Sequence, residues 1–399
     1  MGDFEFACNL FEKFFTQTEI QNALDLIYIS NVIDGGKWHQ RMGEMAPINF
    51  LLAYRTMPIF FYSILSFFLL ASFNLTAAAS NPVKVFILAG QSNMEGKGKV
   101  SLLEYQITQP ETANLFDHLH KDGNWIERED VWIKFLDRKG NLTVGYGSPG
   151  CIGPELEFGN TISEKYDEQN LIIKTAWGGK SLHLDFRPPS SCMPAQEVIG
   201  EMLKRAKEKQ PEIIMADIKA KVGYYYRAML ADVSDTLSNL KEYFPAYEGQ
   251  GYEISGFVWF QGWNDMINPI ATAEYAENMA NFIRDVRKDL KVLKMAFVIG
   301  QLGVGGIEEE SNTKKQAFKD AQAAPTKLPE FKGNVAVVKT NQYWDMTADA
   351  VFKKGWREHI EEWEKVGSDY PFHYLGSTIT FSQMGRGFGD AMLALLRKK

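Results

Sequence analysis

The chain has 399 residues, of which 45% are hydrophobic, 23% charged and 13% aromatic, and its 43 basic and 50 acidic side chains give a formal net charge of −7. This composition excludes collagen-like, low-complexity and disulfide-scaffold proteins. The acidic balance, with no block rich in Lys and Arg, predicts no nucleic-acid partner. At roughly 150 residues per domain, the length allows one large domain or two ordinary ones.

An apolar run near the N-terminus is typical of an export signal. It extends from Pro58 to about Phe73 and is followed by small residues up to Ala79, the layout of a hydrophobic segment with an A-x-A-like cleavage site. The run is short for a membrane span. We therefore favour a signal peptide at 57–79 and a secreted or periplasmic protein over a membrane anchor at 57–73. Residues 1–56 are interpreted as an upstream extension of doubtful start.

The cysteines are too few to staple a fold. Loss of the leader would remove Cys8 and leave Cys151 and Cys192, a pair that is consistent with one disulfide in an oxidising compartment. The sequence leaves open whether they pair. The cysteine spacing matches no metal-binding pattern. No metal or other cofactor is predicted.

Short apolar runs alternate with longer amphipathic stretches through the rest of the chain. Such runs are typical of buried parallel strands, and they lie at 83–90, 171–177, 254–261, 295–302 and 334–340. Helices are predicted at about 155–166, 195–208, 212–244, 270–290, 312–327 and 376–397. This order predicts one three-layer α/β/α domain at 80–399, with a mainly parallel five-stranded sheet and a helical insertion around 185–251.

Ser92 directly follows the first predicted strand, beside Gly90 and Gln91. In parallel sheets ligands bind beyond the carboxyl ends of the strands, so this serine is expected at the ligand edge. Serine attack on a carbonyl also needs a donor for the developing oxyanion, which the backbone N–H of Ser92 would supply. The alternative is that Ser92 only caps a following helix.

Asp369 and His373 lie near the other end of the chain, just before the last predicted helix. A serine hydroxyl is a poor nucleophile until a base takes its proton, and imidazole has a suitable pKa. A nearby aspartate can orient the ring and stabilise its charged form. The two ends of the sequence therefore predict a Ser-His-Asp triad.

Five blocks in fixed order resemble the SGNH-hydrolase superfamily, and within it the sialate O-acetylesterase-like and acetylxylan-esterase-like carbohydrate esterases. The blocks are GQSNM at 90–94, IGPELEFG at 152–159, KTAWGGKSL at 174–182, WFQGWND at 259–265 and the Asp/His block at 369–373. The resemblance implies a flavodoxin-like fold and a metal-free serine esterase that acts on acetylated sugars.

The same resemblance implies roles for individual residues. Ser92 matches the nucleophile, His373 the base and Asp369 the acid, while Ser92, Gly153 and Gln261 match the donors of the oxyanion hole. In the wider family the acid stands three residues before the histidine, where this chain has Tyr370. Substrate contacts are also predicted within or beside the blocks, from Gln91, Trp177, Gly179 and Trp263.

The sequence therefore predicts an exported serine ester hydrolase that removes O-acetyl groups from a carbohydrate through an acetyl-enzyme. One alternative is an SGNH esterase that acts on a non-carbohydrate acyl ester, and another is a non-catalytic glycan-binding protein on the same fold. The predicted partner is an acetylated carbohydrate, and a membrane is expected only through an uncleaved N-terminal segment. The sugar, the acetyl position and the oligomeric state are left open.

Overall fold

The structure is a computed structural model that describes residues 81–307 and 313–397. The predictions for 1–56 and for the signal peptide or anchor at 57–79 lie outside these residues. Along the described chain, no helix has the length and apolar character needed to cross a membrane.

The described chain contains one large sheet and two short two-stranded ladders. The strands are β1 (Val83–Gly90), β2 (Gly98–Lys99), β3 (His120–Lys121), β4 (Asn124–Trp125), β5 (Arg128–Phe135), β6 (Arg138–Leu142), β7 (Cys151–Ile152), β8 (Asn170–Ala176), β9 (Tyr252–Phe260), β10 (Ala296–Gln301) and β11 (Val335–Lys339). β2 pairs with β7 and β3 with β4, both antiparallel.

The central sheet has seven strands in the order β11-β10-β9-β1-β8-β5-β6. All neighbours are parallel except β5 and β6. The predicted mainly parallel sheet is confirmed, and each of the five predicted strands matches an observed one within two residues. The predicted number of five strands is wrong. β5 begins with the charged residues Arg128, Glu129 and Asp130, and β6 is polar because it is an edge strand, so neither has a continuous apolar run.

The helices of the described residues vary from four to 21 residues. They are α1 (Ser92–Glu95), α2 (Val100–Gln106), α3 (Ala113–Phe116), α4 (Glu155–Ser163), α5 (Gln196–Lys207), α6 (Met215–Lys221), α7 (Tyr224–Ser238), α8 (Leu240–Tyr243), α9 (Trp263–Met266), α10 (Pro269–Asp289), α11 (Thr313–Ala323), α12 (Met346–Lys353), α13 (Ile360–Trp363) and α14 (Thr378–Leu396). The described residues also form six short 3₁₀ segments, at Asp117–Leu119, Pro189–Ser191, Ala324–Lys327, Pro329–Phe331, Thr340–Tyr343 and Pro371–Gly376.

Helices cover both faces of the sheet, as the alternation of side chains along β9 shows. Trp259 packs against Phe282 of α10, with ring centroids 4.4 Å apart. Its neighbour Phe260 points to the opposite face and packs against Phe388 of α14 at 5.3 Å. Because adjacent residues of one strand contact helices on opposite sides, the core has three layers. β1, the middle strand of the seven, is buried along almost its whole length.

The interval 185–251, where a helical insertion is predicted, contains α5 to α8, and these helices divide into two groups. α7 belongs to the main core, since Tyr226 packs against Phe282 of α10 with centroids 5.7 Å apart. α5 and α6 instead build a small separate cluster from Ile199, Ile213, Ile218 and Val222. The α5–α6 pair therefore packs apart from the main core.

Candidate active site

The carboxyl end of β1 presents Ser92 at the ligand edge of the sheet. A Cβ on Gly90 would lie 2.1 Å from the carbonyl oxygen of Phe260, so only glycine lets β1 and β9 approach each other at this point. The N–H of Gln91 donates to that carbonyl at 3.2 Å. The chain then turns into α1, whose first residue is Ser92, a side chain only 6% exposed.

The loop that carries His373 is folded back on itself. Tyr374 and Leu375 have φ values of 52° and 60°, and Gly376 one of 59°, which are left-handed conformations that non-glycine residues adopt at a cost. The N–H groups of Ser368 and Asp369 both donate to the carbonyl of Leu375. This closure brings the aspartate back toward the histidine.

Ser92, His373 and Asp369 lie together, as the sequence predicts. His373 Nε2 is 3.0 Å from Ser92 Oγ, and His373 Nδ1 is 3.1 Å from Asp369 Oδ1. The second contact has ion-pair distance but not hydrogen-bond alignment, since Nδ1 is buried without a hydrogen-bond partner. Such contacts in unliganded enzymes often tighten only when substrate binds. The side chain of Tyr370, at the family's usual acid position, is 45% exposed.

The surroundings of Asp369 keep it ionised, because its pKa lies below the ordinary value. Burial has the largest single influence and acts in the opposite direction. The contact with His373, the N–H of Tyr370 and the charge of Lys97 together outweigh it. The Tyr370 N–H donates to Asp369 Oδ1 at 2.6 Å. A charged carboxylate beside the ring is what stabilises an imidazolium.

Asn93 ties the serine turn to the histidine loop. Its Nδ2 donates to the carbonyl of Phe372 at 3.1 Å, directly before His373. Asn93 is only 2% exposed, so this contact is shielded from water. It fixes the two halves of the triad relative to each other.

A buried ion pair between Lys174 and Glu155 also supports the turn that carries Ser92. Lys174 and Glu155 are both fully buried, with Nζ and Oε2 2.6 Å apart. Lys174 also donates to the carbonyls of Glu95 and Tyr146, each at 2.7 Å. Burial lowers the pKa of Lys174, and the charge of Glu155 opposes this change. The pair thus connects β8, α4 and the residue that ends α1.

Two of the three predicted oxyanion donors are already engaged. The N–H of Gly153 donates to Glu155 Oε1 at 2.9 Å. Gln261 Nε2 contacts Gln91 Oε1, the carbonyl of Lys180 and Asp265 Oδ2. The N–H of Gly153 is therefore not free to donate to an oxyanion in this geometry. The side-chain amide of Gln261 could donate only if it gave up one of these contacts. In the described part of the chain, the N–H groups of Ser92 and Gly179 have no hydrogen-bond partner.

Asp265 explains why Gln261 is held so firmly. It is fully buried and accepts the N–H groups of Leu182 and His183, each at 2.9 Å, besides the Gln261 amide. Burial raises its pKa to about 6, although these hydrogen bonds favour the charged form. Asp265 thereby fastens the loop after β8 to the end of β9.

The predicted substrate residues lie around the serine turn. Gln91 is buried and accepts the N–H of Gly262 at 3.1 Å, so it serves as part of the framework. Gly179 is exposed in the turn after β8, where its carbonyl accepts Asn264 Nδ2 at 2.9 Å. Trp177 and Trp263 are half-buried. Trp177 packs against Tyr225 at 5.1 Å, and Trp263 packs against Phe372 at 5.7 Å.

Both described cysteines are free thiols, so the pairing of Cys151 with Cys192 that the sequence left open is not formed in the structure. Cys151 is buried in β7, and Cys192 is exposed in the loop after β8. Within 81–307 and 313–397, no group of three or more His, Cys, Asp or Glu side chains could hold a metal ion.

Several supporting residues were not predicted from the sequence. Glu155, Lys174 and Asp265 place ionisable groups in the buried interior, and Glu95 adds a partly buried carboxylate. One signal was visible: Lys174 interrupts the otherwise apolar run LIIKTAW, and a lysine in a buried strand requires a partner.

A family model for carbohydrate esterases, described as sialic acid-specific acetylesterase, matches residues 82–224 and 215–351. The chain is also 21% identical over 237 residues to a probable carbohydrate esterase of Arabidopsis thaliana, At4g34215, with 56% of this chain and 71% of the relative covered.

Solved structures similar to this chain include the following three. They are a protein of Arabidopsis thaliana, AT4G34215 (TM-score 0.45, 17% identity, 78% of this chain and 98% of that chain), XAC1771, a carbohydrate acetylesterase from Xanthomonas citri (0.43, 13%, 79% and 57%), and NanS (0.34, 15%, 65% and 78%).

The protein is a carboxylic ester hydrolase. It belongs to the family of carbohydrate esterases described as sialic acid-specific acetylesterases, because the matched residues cover more than half of the chain. The resemblance to this family that the five sequence blocks indicated is confirmed. The matched residues end at 351, so Asp369 and His373 lie beyond them and their assignment depends on the geometry described above.

Proposed function

We propose that the protein is a serine esterase of the SGNH, flavodoxin-like type that removes O-acetyl groups from a carbohydrate. The observation that carries this proposal is the 3.0 Å contact between Ser92 Oγ and His373 Nε2 at the carboxyl end of the middle strand. The family membership supports a sugar ester as the substrate.

In the proposed reaction, His373 Nε2 takes the proton of Ser92 Oγ as the oxygen attacks the acetyl carbonyl carbon. His373 then returns this proton to the sugar oxygen, and the bond between that oxygen and the carbonyl carbon breaks. The acetyl group remains on Ser92. Water, deprotonated by His373, attacks the acetyl-enzyme and releases acetate, and the proton returns to Ser92 Oγ.

The oxyanion that forms in both steps needs donors close to Ser92. The N–H of Ser92 is proposed as the first donor, since it has no partner among the described residues. Gly179 is proposed as the second in place of Gly153, because the N–H of Gly153 already serves Glu155. Gln261 positions the turn through Gln91. A lost oxyanion donor typically costs about a hundred- to a thousandfold in rate.

The test is hydrolysis of 4-nitrophenyl acetate by the full chain and by its Ser92→Ala variant. Ser92→Ala is expected to abolish turnover without lowering the unfolding temperature. An acetyl adduct on the Ser92 peptide, trapped by acid quench, would show the covalent step. Ser234→Ala, at an exposed serine of α7, is the matched control. Full activity of Ser92→Ala would contradict the proposal.

A comparison of substrates distinguishes the proposed sugar acetylesterase from the alternative, an esterase that acts on a non-carbohydrate acyl ester. Acetate release is compared between acetylated glycans and simple esters of increasing acyl length. A sugar acetylesterase is expected to lose activity steeply as the acyl chain grows. Equal activity on long acyl esters, together with none on acetylated glycans, would favour the alternative.

We also propose that the protein is exported. The support is the apolar run from Pro58 to about Phe73 followed by small residues. N-terminal sequencing of the protein from expressing cells is expected to give a start near residue 80. Recovery of an intact Met1 would contradict cleavage.

A further inference from the structure

A large open groove lies beside the triad, on the side of Asp369. It has a volume of about 880 Å³, near the upper end of the range of roughly 300–1,000 Å³ that is usual for ligand sites. One wall comes from α2 and the residue before it, and the other comes from the segment 352–370. Asp369 and Tyr370 are among the residues that line it, so the groove and the triad share a residue.

Aromatic side chains with exposed area line the groove. Trp356 and Tyr105 are half-buried, and Tyr370 is 45% exposed. A sugar ring presents a face of C–H bonds, which packs well on an aromatic face because the π-system carries negative charge there. Trp356, Tyr105 and Tyr370 are partly exposed aromatic side chains of the groove that could make such contacts.

A row of rings joins the groove to the proposed base. The centroid of Trp356 is 6.2 Å from that of Tyr370, and Tyr370 is stacked on Phe372 at 5.4 Å with an interplanar angle of 5°. Phe372 lies 4.4 Å from the ring of His373 and 5.7 Å from Trp263. A ligand that reaches from Trp356 to Ser92 must cross these three steps, which is more than one sugar ring spans.

The charges around the groove are mixed. Lys99 and Lys365 oppose Glu361, Glu364 and Asp369, so neither sign dominates. A strongly anionic polymer would find no cluster of cations here. Scattered charged groups instead suit the many neutral hydroxyl groups of an uncharged sugar chain, to which they donate and from which they accept hydrogen bonds.

We propose that this groove is a glycan subsite that binds the sugar residues adjoining the acetylated one, so that the substrate is a neutral acetylated oligosaccharide or polysaccharide rather than a free monosaccharide. The inference rests on the proposed esterase function, because it places the acetyl group at Ser92 and the rest of the chain along Phe372, Tyr370 and Trp356.

The test compares kcat/KM on acetylated xylo-oligosaccharides of increasing length with kcat/KM on 4-nitrophenyl acetate. For the wild type, the ratio of the two is expected to rise with chain length until the groove is filled. Trp356→Ala is expected to lower the ratio for the longest chain by about tenfold. An O-acetylated sialic acid, a charged monosaccharide, is expected to be a poorer substrate than the longer neutral chains.

The matched control is Tyr252→Ala. Tyr252 is also 45% exposed. It is the first residue of β9 and therefore lies at the amino-terminal ends of the parallel strands, whereas Ser92 lies at their carboxyl ends. It is expected to leave the ratio unchanged. As a second measurement, unacetylated xylohexaose is expected to inhibit the wild type competitively and Trp356→Ala more weakly, which tests the subsite even if the variant is less stable.

The outcomes separate the two proposals. A ratio that does not change with chain length, or a Trp356→Ala ratio equal to that of the wild type, would overturn the glycan subsite and leave the esterase intact. Activity on 4-nitrophenyl acetate that survives Ser92→Ala would overturn the esterase mechanism instead.

Discussion

Replacement of Lys174 by Met tests the buried ion pair beneath the serine turn. The lysine Nζ donates to Glu155 Oε2 at 2.6 Å and to two carbonyls at 2.7 Å, and both charged side chains are fully buried. Lys174→Met would leave an uncompensated carboxylate and two unpaired carbonyls inside the protein. Breaking one side of a buried pair costs about 3–5 kcal/mol.

The expected change in melting temperature follows from the size of the domain. Unfolding entropy is about 2.1 cal/mol/K per residue, so for roughly 320 residues each kcal/mol corresponds to about 1.5 °C. Lys174→Met should therefore lower the melting temperature by about 4–8 °C. Calorimetry and denaturant unfolding measure this, and kcat on 4-nitrophenyl acetate should also fall because the Glu95 carbonyl loses its anchor.

A double-mutant cycle shows whether the loss of stability in Lys174→Met comes from the broken ion pair with Glu155. Lys174→Met combined with Glu155→Gln removes both charges, and part of the lost stability should return because no buried charge is left alone. Lys134→Met is the matched control, since its pair with Asp232 is less buried, with side chains 7% and 17% exposed. The reasoning would be refuted by a Lys174→Met cost below about 1 kcal/mol, or by no coupling in the cycle.

Two substitutions at the site and one chemical modification of the cysteines give further tests. Asp369→Asn should lower kcat by up to about ten-thousandfold. Because the pKa of Asp369 lies below its ordinary 3.8, its charge stabilises the fold above that value. The stability advantage of wild type over Asp369→Asn should then vanish as pH falls through the lowered pKa, and an advantage that persists in acid would contradict this. Gly90→Ala should destabilise the protein and lower activity, since its Cβ would meet the Phe260 carbonyl at 2.1 Å; an unfolding temperature equal to wild type would be inconsistent with that contact. A thiol reagent should modify exposed Cys192 quickly and Cys151 slowly, because burial raises the pKa of the Cys151 thiol, and peptide mapping that finds equal rates would show the assignment to be wrong.

The sequence predicted the buried strands well because each is an almost continuous apolar run between two helical layers. It missed β5 and β6, since their polar residues lie where the sheet meets solvent. The interval 212–244 was predicted as one helix, whereas the structure divides it into α6, α7 and α8. Gly223, with a φ of 66° and a Cβ position 2.7 Å from the Arg187 carbonyl, separates the first two. That break depends on packing between distant segments, which periodicity does not report.

The site shows the same division between local and distant information. The proximity of Ser92, Asp369 and His373 could be predicted because each stands at a recognisable place in a block. The state of Gly153 and Gln261 could not, because their donors are taken by Glu155 and by Gln91, Lys180 and Asp265. Which acceptor occupies a given donor depends on the side chains that come together in the folded protein, and the sequence alone does not show this.

Most buried charged groups around the serine turn have hydrogen-bond partners, which makes the buried polar atoms without a partner informative. Glu155, Lys174 and Asp265 form hydrogen bonds or an ion pair with neighbouring groups. These contacts hold the serine turn in place, and the three side chains are not placed to react with a substrate. Among the buried side-chain atoms of the described residues that lack a hydrogen-bond partner are His373 Nδ1 and Asn93 Oδ1, one in the triad and one beside it. An unpaired buried polar atom costs free energy, so its presence calls for an explanation such as a role in function. At His373 the missing hydrogen bond is the one to Asp369 that would form as the ring gains its proton, so the cost is recovered when positive charge develops on the imidazole.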